Sequence, residues 1–253
     1  MKIKFQADDV VNKLPPEIQE TVEHSIKRVI YESFIVPADE DYLTARLLAI
    51  NGLSRAFFWS AAQAVEKYLK AYLISHGECV IPPKKGNKHS LIDLYDRAAA
   101  QDPSFQTFII KPSEELSKFP SLTEGAKVGS PRDYVQVLDK EGNANNRYNR
   151  SGVEYYSLYL YALDNFVGFA RGKLETNPIE DNIYKIGEKL MSIFYFENSG
   201  FKNEDYTYLS GIQNSNEGSI WSVDTTWLDA IKNNQKSGPL LHAFKWLQQR
   251  MWT

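Results

Sequence analysis

The sequence predicts an all-α protein, and three observations carry that fold class. Residues 53–76 repeat apolar side chains at helical spacing along two adjacent stripes. Prolines and capping residues stand where helices would begin, at Pro15-Pro16, Ser90, Ser151 and Pro239. Aromatic residues make up 13% of the chain and tyrosine dominates them, which suits a helix-rich core with polar-tipped rings at its rim.

The elements follow in order. Residues 1–14 are short and mixed. Pro15 and Pro16 open a first helix, because proline lacks the N–H that a first turn leaves unpaired. Ile18, Val22, Ile26 and Val29 keep its spacing to about Tyr31, and Pro37 marks a break. Asp39, Glu40 and Asp41 then place negative charge at the start of a second helix, with Leu43, Leu47 and Ile50 as its apolar stripe. Gly52 interrupts the pattern.

The long helix at 53–76 ends at Gly77, as helices commonly do. One stripe is Phe57, Ala61, Ala64 and Tyr68; the other is Phe58, Ala62, Val65, Leu69 and Leu73. Only Gln63, Glu66, Lys67 and Lys70 remain as a polar strip, so this helix is expected at the centre of a bundle. Residues 82–88 read as a basic loop. Ser90 caps a helix carrying Leu91, Leu94, Tyr95 and Ala98. Residues 103–118 read as short helices broken at Pro112, and 120–150 as a long loop. Ser151 and Glu154 have capping-box spacing and launch a tyrosine-rich helix through Tyr156, Leu160, Leu163 and Val167. Beyond Pro178, Ile183, Ile186, Leu190 and Ile193 suggest another helix, residues 224–233 a short one, and Pro239 opens a last one.

Composition narrows the chemistry. A net charge of −3 gives no whole-molecule attraction to phosphate polymers, so a nucleic-acid site has to be a local basic patch. Cys79 is the only cysteine, which excludes an intrachain disulfide and any cysteine-rich metal site and fits a reducing, cytoplasmic setting. No signal-peptide-like or membrane-spanning apolar run is visible. Phosphate-loop, dinucleotide and nucleophile-elbow motifs are absent, and no His/Asp/Glu grouping has metal-ligand spacing, so neither cofactor nor metal is expected.

The stretch YLTARLLAINGLSRAFFWSAAQAVEKYLKAYLISHG, residues 42–77, resembles the first two helices of HEPN domains. The family's small residues, Gln/Ala-rich turn and Glu-Lys with a downstream Lys correspond to Ala61, Ala62, Gln63, Ala64, Glu66, Lys67 and Lys70. His89-Ser90-Leu91 looks like its His-containing helix start, and Arg147-Tyr148 is similar to its Arg-Tyr pair. The resemblance implies an up-and-down four-helix-type bundle over residues 39–172. An N-terminal extension of one helix, 1–38, would precede it, and a mostly helical extension, 173–253, would follow. It also implies frequent homodimers, and members that are metal-independent ribonucleases of toxin–antitoxin or antiviral systems, bind nucleotides, or accompany a nucleotidyltransferase. The ribonuclease branch follows an Arg with a His after four to six intervening residues. Here Tyr155, Tyr156 and Ser157 stand where that His would follow Arg150.

The candidate site therefore takes His89 and Arg147 as catalytic, and Glu66, Lys70, Tyr148 and Arg150 as ligand-binding. Each also has a plain structural reading. Glu66 and Lys70, one turn apart, make an ordinary helix ion pair. His89 packs on the bundle, Arg147 bridges to an acidic face, and Tyr148 closes the core. Tyr155, Tyr156 and Tyr159 read as packing. Two functions remain: a protein binding nucleotide or RNA phosphate, with metal-independent phosphodiester cleavage as its reaction, or a non-catalytic module that dimerises or docks a nucleotidyltransferase or antitoxin-like partner.

Overall fold

Helix formation begins where the sequence places its prolines. The computed structural model describes residues 1–81, 90–108, 110, 128–143, 154–176, 179, 193–194, 198, 200–201, 231–232 and 238–251, and every element among them is helical. Helix α1 (Pro16–Ile30) starts on Pro16 and buries Val22, Ile26, Val29 and Ile30.

The expected break at Pro37 is absent. A π-helical turn, Tyr31–Ile35, runs straight into α2 (Val36–Ile50), with the Val36 N–H reaching the Tyr31 carbonyl. In regular α geometry the Pro37 ring would clash with the Ser33 carbonyl; the wider turn carries the chain past it without ending the helix. The buried face of α2 is also rotated from the expected stripe. Ala38, Asp39, Tyr42, Leu43, Ala45 and Arg46 face inward, while Leu47 and Ile50 are 39% and 43% exposed. Gly52 (φ +71°) turns the chain back.

The long helix α3 (Ser54–Ser75) is the axis of the bundle, as its two stripes predict. It packs on α1, α2, α4 (Leu91–Gln101), α6 (Pro131–Glu141) and α7 (Leu158–Leu174). Phe57, Phe58, Ala61, Ala64, Val65, Tyr68 and Leu69 are fully buried. Gln63, Glu66, Lys67 and Lys70 are only partly so. Ser90 caps α4 as expected, accepting from the Asp93 N–H at 3.2 Å. Helix α5 (Ser104–Thr107) is one turn long.

Two boundaries differ from the sequence expectation. Within the segment read as loop, Pro131–Glu141 is helical. Ser130 accepts from the Asp133 N–H, and Tyr134, Val135 and Leu138 bury one face. The tyrosine-rich helix starts later than Ser151, because Glu154, Tyr155 and Tyr156 precede α7 in non-helical conformation. Ser151 itself lies outside the described residues, as do residues 111–127 and most of 177–237, including the helices expected around Ile183–Leu190 and most of the one at 224–233.

The last helix, α8 (Pro239–Met251), opens on Pro239 and lies on α1. One buried cluster pins it. Arg250 and the Trp246 indole N–H each donate to Asp9 at 2.9 Å, and Arg250 Nε donates to the Gly77 carbonyl at 2.9 Å. The Arg250 guanidinium also sits 4.2 Å from the Trp246 ring centroid, so the N-terminal segment, the end of α3 and α8 share one polar knot.

At the opposite edge, Asp102 after α4 accepts from Lys173 of α7 at 2.8 Å and from the Ser104 N–H at 2.9 Å. The Lys173 bond, then Ser104, draw its carboxyl down to about 2. A depressed carboxyl stabilises the fold above its unfolded value of 3.8 and loses that contribution as pH falls toward 2. Because the pair faces solvent, the effect should stay under about 1 kcal/mol. Urea unfolding from pH 5 to 2 should therefore show a shallower acid limb in Asp102→Asn than in wild type. Identical limbs would refute the assignment.

Candidate functional site

The polar strip of α3 lies along its seam with α2. Lys67 pairs with Asp41 of α2, and Lys70 pairs with Glu66 at 2.5 Å. The Lys70 and Glu66 side chains keep 22% and 16% exposure, so this pair is a half-buried ion pair at the surface of the bundle. Of the site residues read from sequence, these two are brought together; His89, Arg147, Tyr148 and Arg150 lie outside the described residues. The helix start beside His89 is already occupied from within. The Leu91 N–H donates to Asp139 of α6 at 2.7 Å, and Ser90 takes the Asp93 N–H.

The acidic run on α2 does not serve as a helix N-terminus, because the π turn joins α2 to α1. Its three carboxylates go three ways. Asp41 meets Lys67, Asp39 turns inward, and Glu40 faces out, its pKa raised by partial burial and then by Asp41 and Asp39.

Sequence reasoning missed the chemistry inside the bundle. Asp39 and Arg46 stand seven residues apart on α2, and Asp164 and Arg171 seven apart on α7. The helices meet so that each acid finds the other helix's arginine. Arg171 donates to Asp39 at 2.5 Å, Arg46 donates to Asp164, and all four residues are at most 5% exposed. A tyrosine completes each pair: Tyr68 of α3 donates to Asp39, and Tyr42 donates to Asp164 at 2.7 Å. Burial, and then the adjacent carboxylate, push both phenols well above their ordinary range, so each stays a neutral donor. Burial works against the charge of Arg46, yet Asp164 keeps its pKa above the ordinary value. The readable signal was the spacing: an Asp-x6-Arg pair on each of two helices puts both charges on one face, two turns apart.

The Arg46–Asp164 pair receives a cover from the C-terminal part of the chain. Arg46 Nε donates to the Ile193 carbonyl at 3.0 Å, and the Asn198 carboxamide donates to the Tyr42 hydroxyl at 2.8 Å. Phe194 and Phe201 stand 6.3 and 6.2 Å from the Tyr42 ring.

A groove of about 430 Å³ opens between α6 and the approach to α7, lined among others by Asp133, Lys140, Glu141, Glu154 and Tyr159. Its lining sets three carboxylates, Asp133, Glu141 and Glu154, against one lysine, a balance that opposes an anionic ligand. The tyrosines before and within α7 act as packing. Tyr155 makes edge contacts with Phe57 and Phe58, and Tyr159 with Phe58. Among the described residues no helix is long and apolar enough to cross a membrane.

An all-α bundle, with a buried long helix at its axis and reciprocal ion pairs locking α2 to α7, defines the structural class. The HEPN domain family model matches residues 31–130, from the π turn to the N-cap of α6. No curated protein and no solved structure matches the chain.

Proposed function

We propose that this protein binds nucleotide or RNA phosphate, in a cytoplasmic setting of the defence or toxin–antitoxin kind. The site would lie on the polar strip of α3, completed by His89 and Arg147. The observation that carries this reading is the HEPN match over residues 31–130, which contains α3 and its Glu66–Lys70 pair. In this reading the bundle proper spans 39–172, flanked by the extensions 1–38 and 173–253. Lys70 exchanges its bond to Glu66 for a phosphate oxygen, Arg147 and Arg150 grip phosphate through their planar forks, and Tyr148 stacks on a base. Where cleavage occurs, His89 serves as acid or base, and Arg147 with Lys70 stabilises charge on phosphorus without a metal.

A second reading has its own support. Leu47, Ile50 and Leu53, 39%, 43% and 55% exposed, form an apolar edge around the α2–α3 turn. Such an edge suits a module that forms a homodimer or docks a nucleotidyltransferase or antitoxin-like protein.

The deciding experiment is RNA binding and cleavage by the pure protein in EDTA, comparing wild type with Arg147→Ala and His89→Ala. Losing an arginine–phosphate contact should weaken binding by about tenfold or more. Cleavage lost in both variants establishes a metal-independent nuclease. Binding without cleavage, weakened in Arg147→Ala, leaves a phosphate-binding module. Neither binding nor cleavage removes this reading in favour of the interaction module.

A further inference from the structure

The C-terminal end of α3 is finished by other parts of the chain. A helix leaves its last carbonyls without partners of its own. Here three consecutive ones, on Ser75, His76 and Gly77, are taken in turn by the Lys4 N–H at 2.7 Å, the Gln6 side-chain amide at 3.3 Å and Arg250 of α8 at 2.9 Å. Residues 4–6 cross this end in direct contact with its backbone. A Cβ on Gly77 would lie 2.8 Å from both the Lys4 carbonyl oxygen and Gln6 Nε2. The same segment is tied to α8, because Asp9 accepts from the Gln6 N–H at 2.8 Å as well as from Trp246 and Arg250. The seat of residues 4–6 and the seat of α8 are thus mechanically joined.

His76 is a titratable group inside this seat. Its ring is half-buried, 4.1 Å from the Tyr72 ring, and Nδ1 lies 2.9 Å from the Tyr72 carbonyl. A carbonyl only accepts, so Nδ1 carries the ring proton and Nε2 is the nitrogen that a second proton would reach. Charged groups face the ring from each neighbouring element: Lys4 from the N-terminal segment, Glu78 from the turn after α3, and Asp102 from the end of α4. From α8, Arg250 sits on the adjoining Gly77 carbonyl. Both carboxylates are already engaged. Glu78 accepts from Gln101 at 2.8 Å and from Arg97 at 3.4 Å, and Asp102 pairs with Lys173 at 2.8 Å. A new cation on the ring would therefore be set against Lys4.

We propose that His76 is a proton-sensitive latch: once protonated, its ring drives Lys4 away and unseats residues 2–9 from the end of α3, and α8 loses its Asp9 anchor with them. This device is independent of the nucleotide reading above. Burial first, and Lys4 after it, hold the imidazole pKa below its ordinary 6.5, against the pull of the Tyr72 carbonyl and the two carboxylates. A seat that disfavours the charged ring is whole above 6.5 and weakens as pH falls from there through the lowered value.

Hydrogen exchange followed by mass spectrometry tests the latch on the whole chain, at about pH 7.5 and about pH 5.5 with intrinsic exchange rates divided out. In wild type the protection of residues 2–9 should fall by about threefold or more on acidification, while α3 and α7 keep theirs. His76→Gln, which does not titrate, should remove that response. Lys4→Met, which takes away the opposing charge, should reduce it. His76→Lys, charged at both values, should leave the segment as open at about pH 7.5 as wild type is at about pH 5.5. Unchanged protection in wild type, or the same fall in His76→Gln, would overturn the proposal. A fall shared by α3 and α7 would overturn it too, since the acid response would then be a general loss of the fold. Where His76→Gln fails to fold, an undiminished response in Lys4→Met is enough to sink it.

Discussion

Arg46→Ala should lower folding stability by about 3–5 kcal/mol, because it leaves the Asp164 carboxylate buried with its counter-charge gone. Both side chains are 0% exposed, so water has no path to replace the guanidinium. The neutral Tyr42 hydroxyl, which also donates to Asp164 at 2.7 Å, brings no counter-charge. The Ile193 carbonyl loses its donor in the same step. Against a typical total of about 5–15 kcal/mol, this is the difference between a folded and a marginal protein. Urea unfolding followed by far-UV circular dichroism measures it, and a loss under about 1 kcal/mol would show that the pair is not desolvated as described.

The companion variant separates the pair's worth from the cost of breaking it. Replacing Arg46 with Met and Asp164 with Leu together removes both charges and keeps apolar volume, which in comparable buried pairs is neutral or stabilising. The two pairs are reciprocal, Asp39 with Arg171 and Arg46 with Asp164, so they fix how α2 and α7 lie against each other. A one-turn slip would carry each acid away from its arginine, leaving buried charges unmatched. The expected signature of the double variant is retained stability with a less uniquely ordered α2–α7 interface.

The bundle was legible in the sequence wherever apolar spacing is one-sided and long. The two stripes of α3 announce a central helix, and Pro16, Ser90 and Pro239 mark starts that the structure keeps. Legibility failed where a local signal was overridden or diluted. Pro37 reads as a terminator, but the π turn ahead of it removes the clash that makes proline one. Helix α6 is hidden among Gly, Pro and Asn, although Ser130, Pro131 and Asp133 are a legible start. Of the stripe Leu43, Leu47 and Ile50 only Leu43 faces inward, because hydrophobicity alone cannot register a buried Asp39, Tyr42 and Arg46. Of the site, Glu66 and Lys70 were legible as an i,i+4 pair, and they form it. The internal ion pairs depend on which helices touch, which spacing along one helix does not reveal.

Phe58→Ala should cost about 3–5 kcal/mol, the usual range for removing a fully buried ring from a core that cannot close over the space. Phe58 is 0% exposed and bridges α3 to the approach and first turn of α7. Its ring lies 5.1 Å from Phe57, 6.2 Å from Tyr155 and 5.4 Å from Tyr159, all in edge geometry. The cost can be read from chemical unfolding, and a double-mutant cycle with Tyr159→Ala gives the interaction a value. Edge-on aromatic pairs contribute about 0.5–1.5 kcal/mol beyond their buried area, so coupling of that size is expected. The cycle also tests a functional claim. If Tyr159 were held free as a platform for a base, its removal would add to that of Phe58 with no coupling. A measured coupling instead makes Tyr159 a core residue.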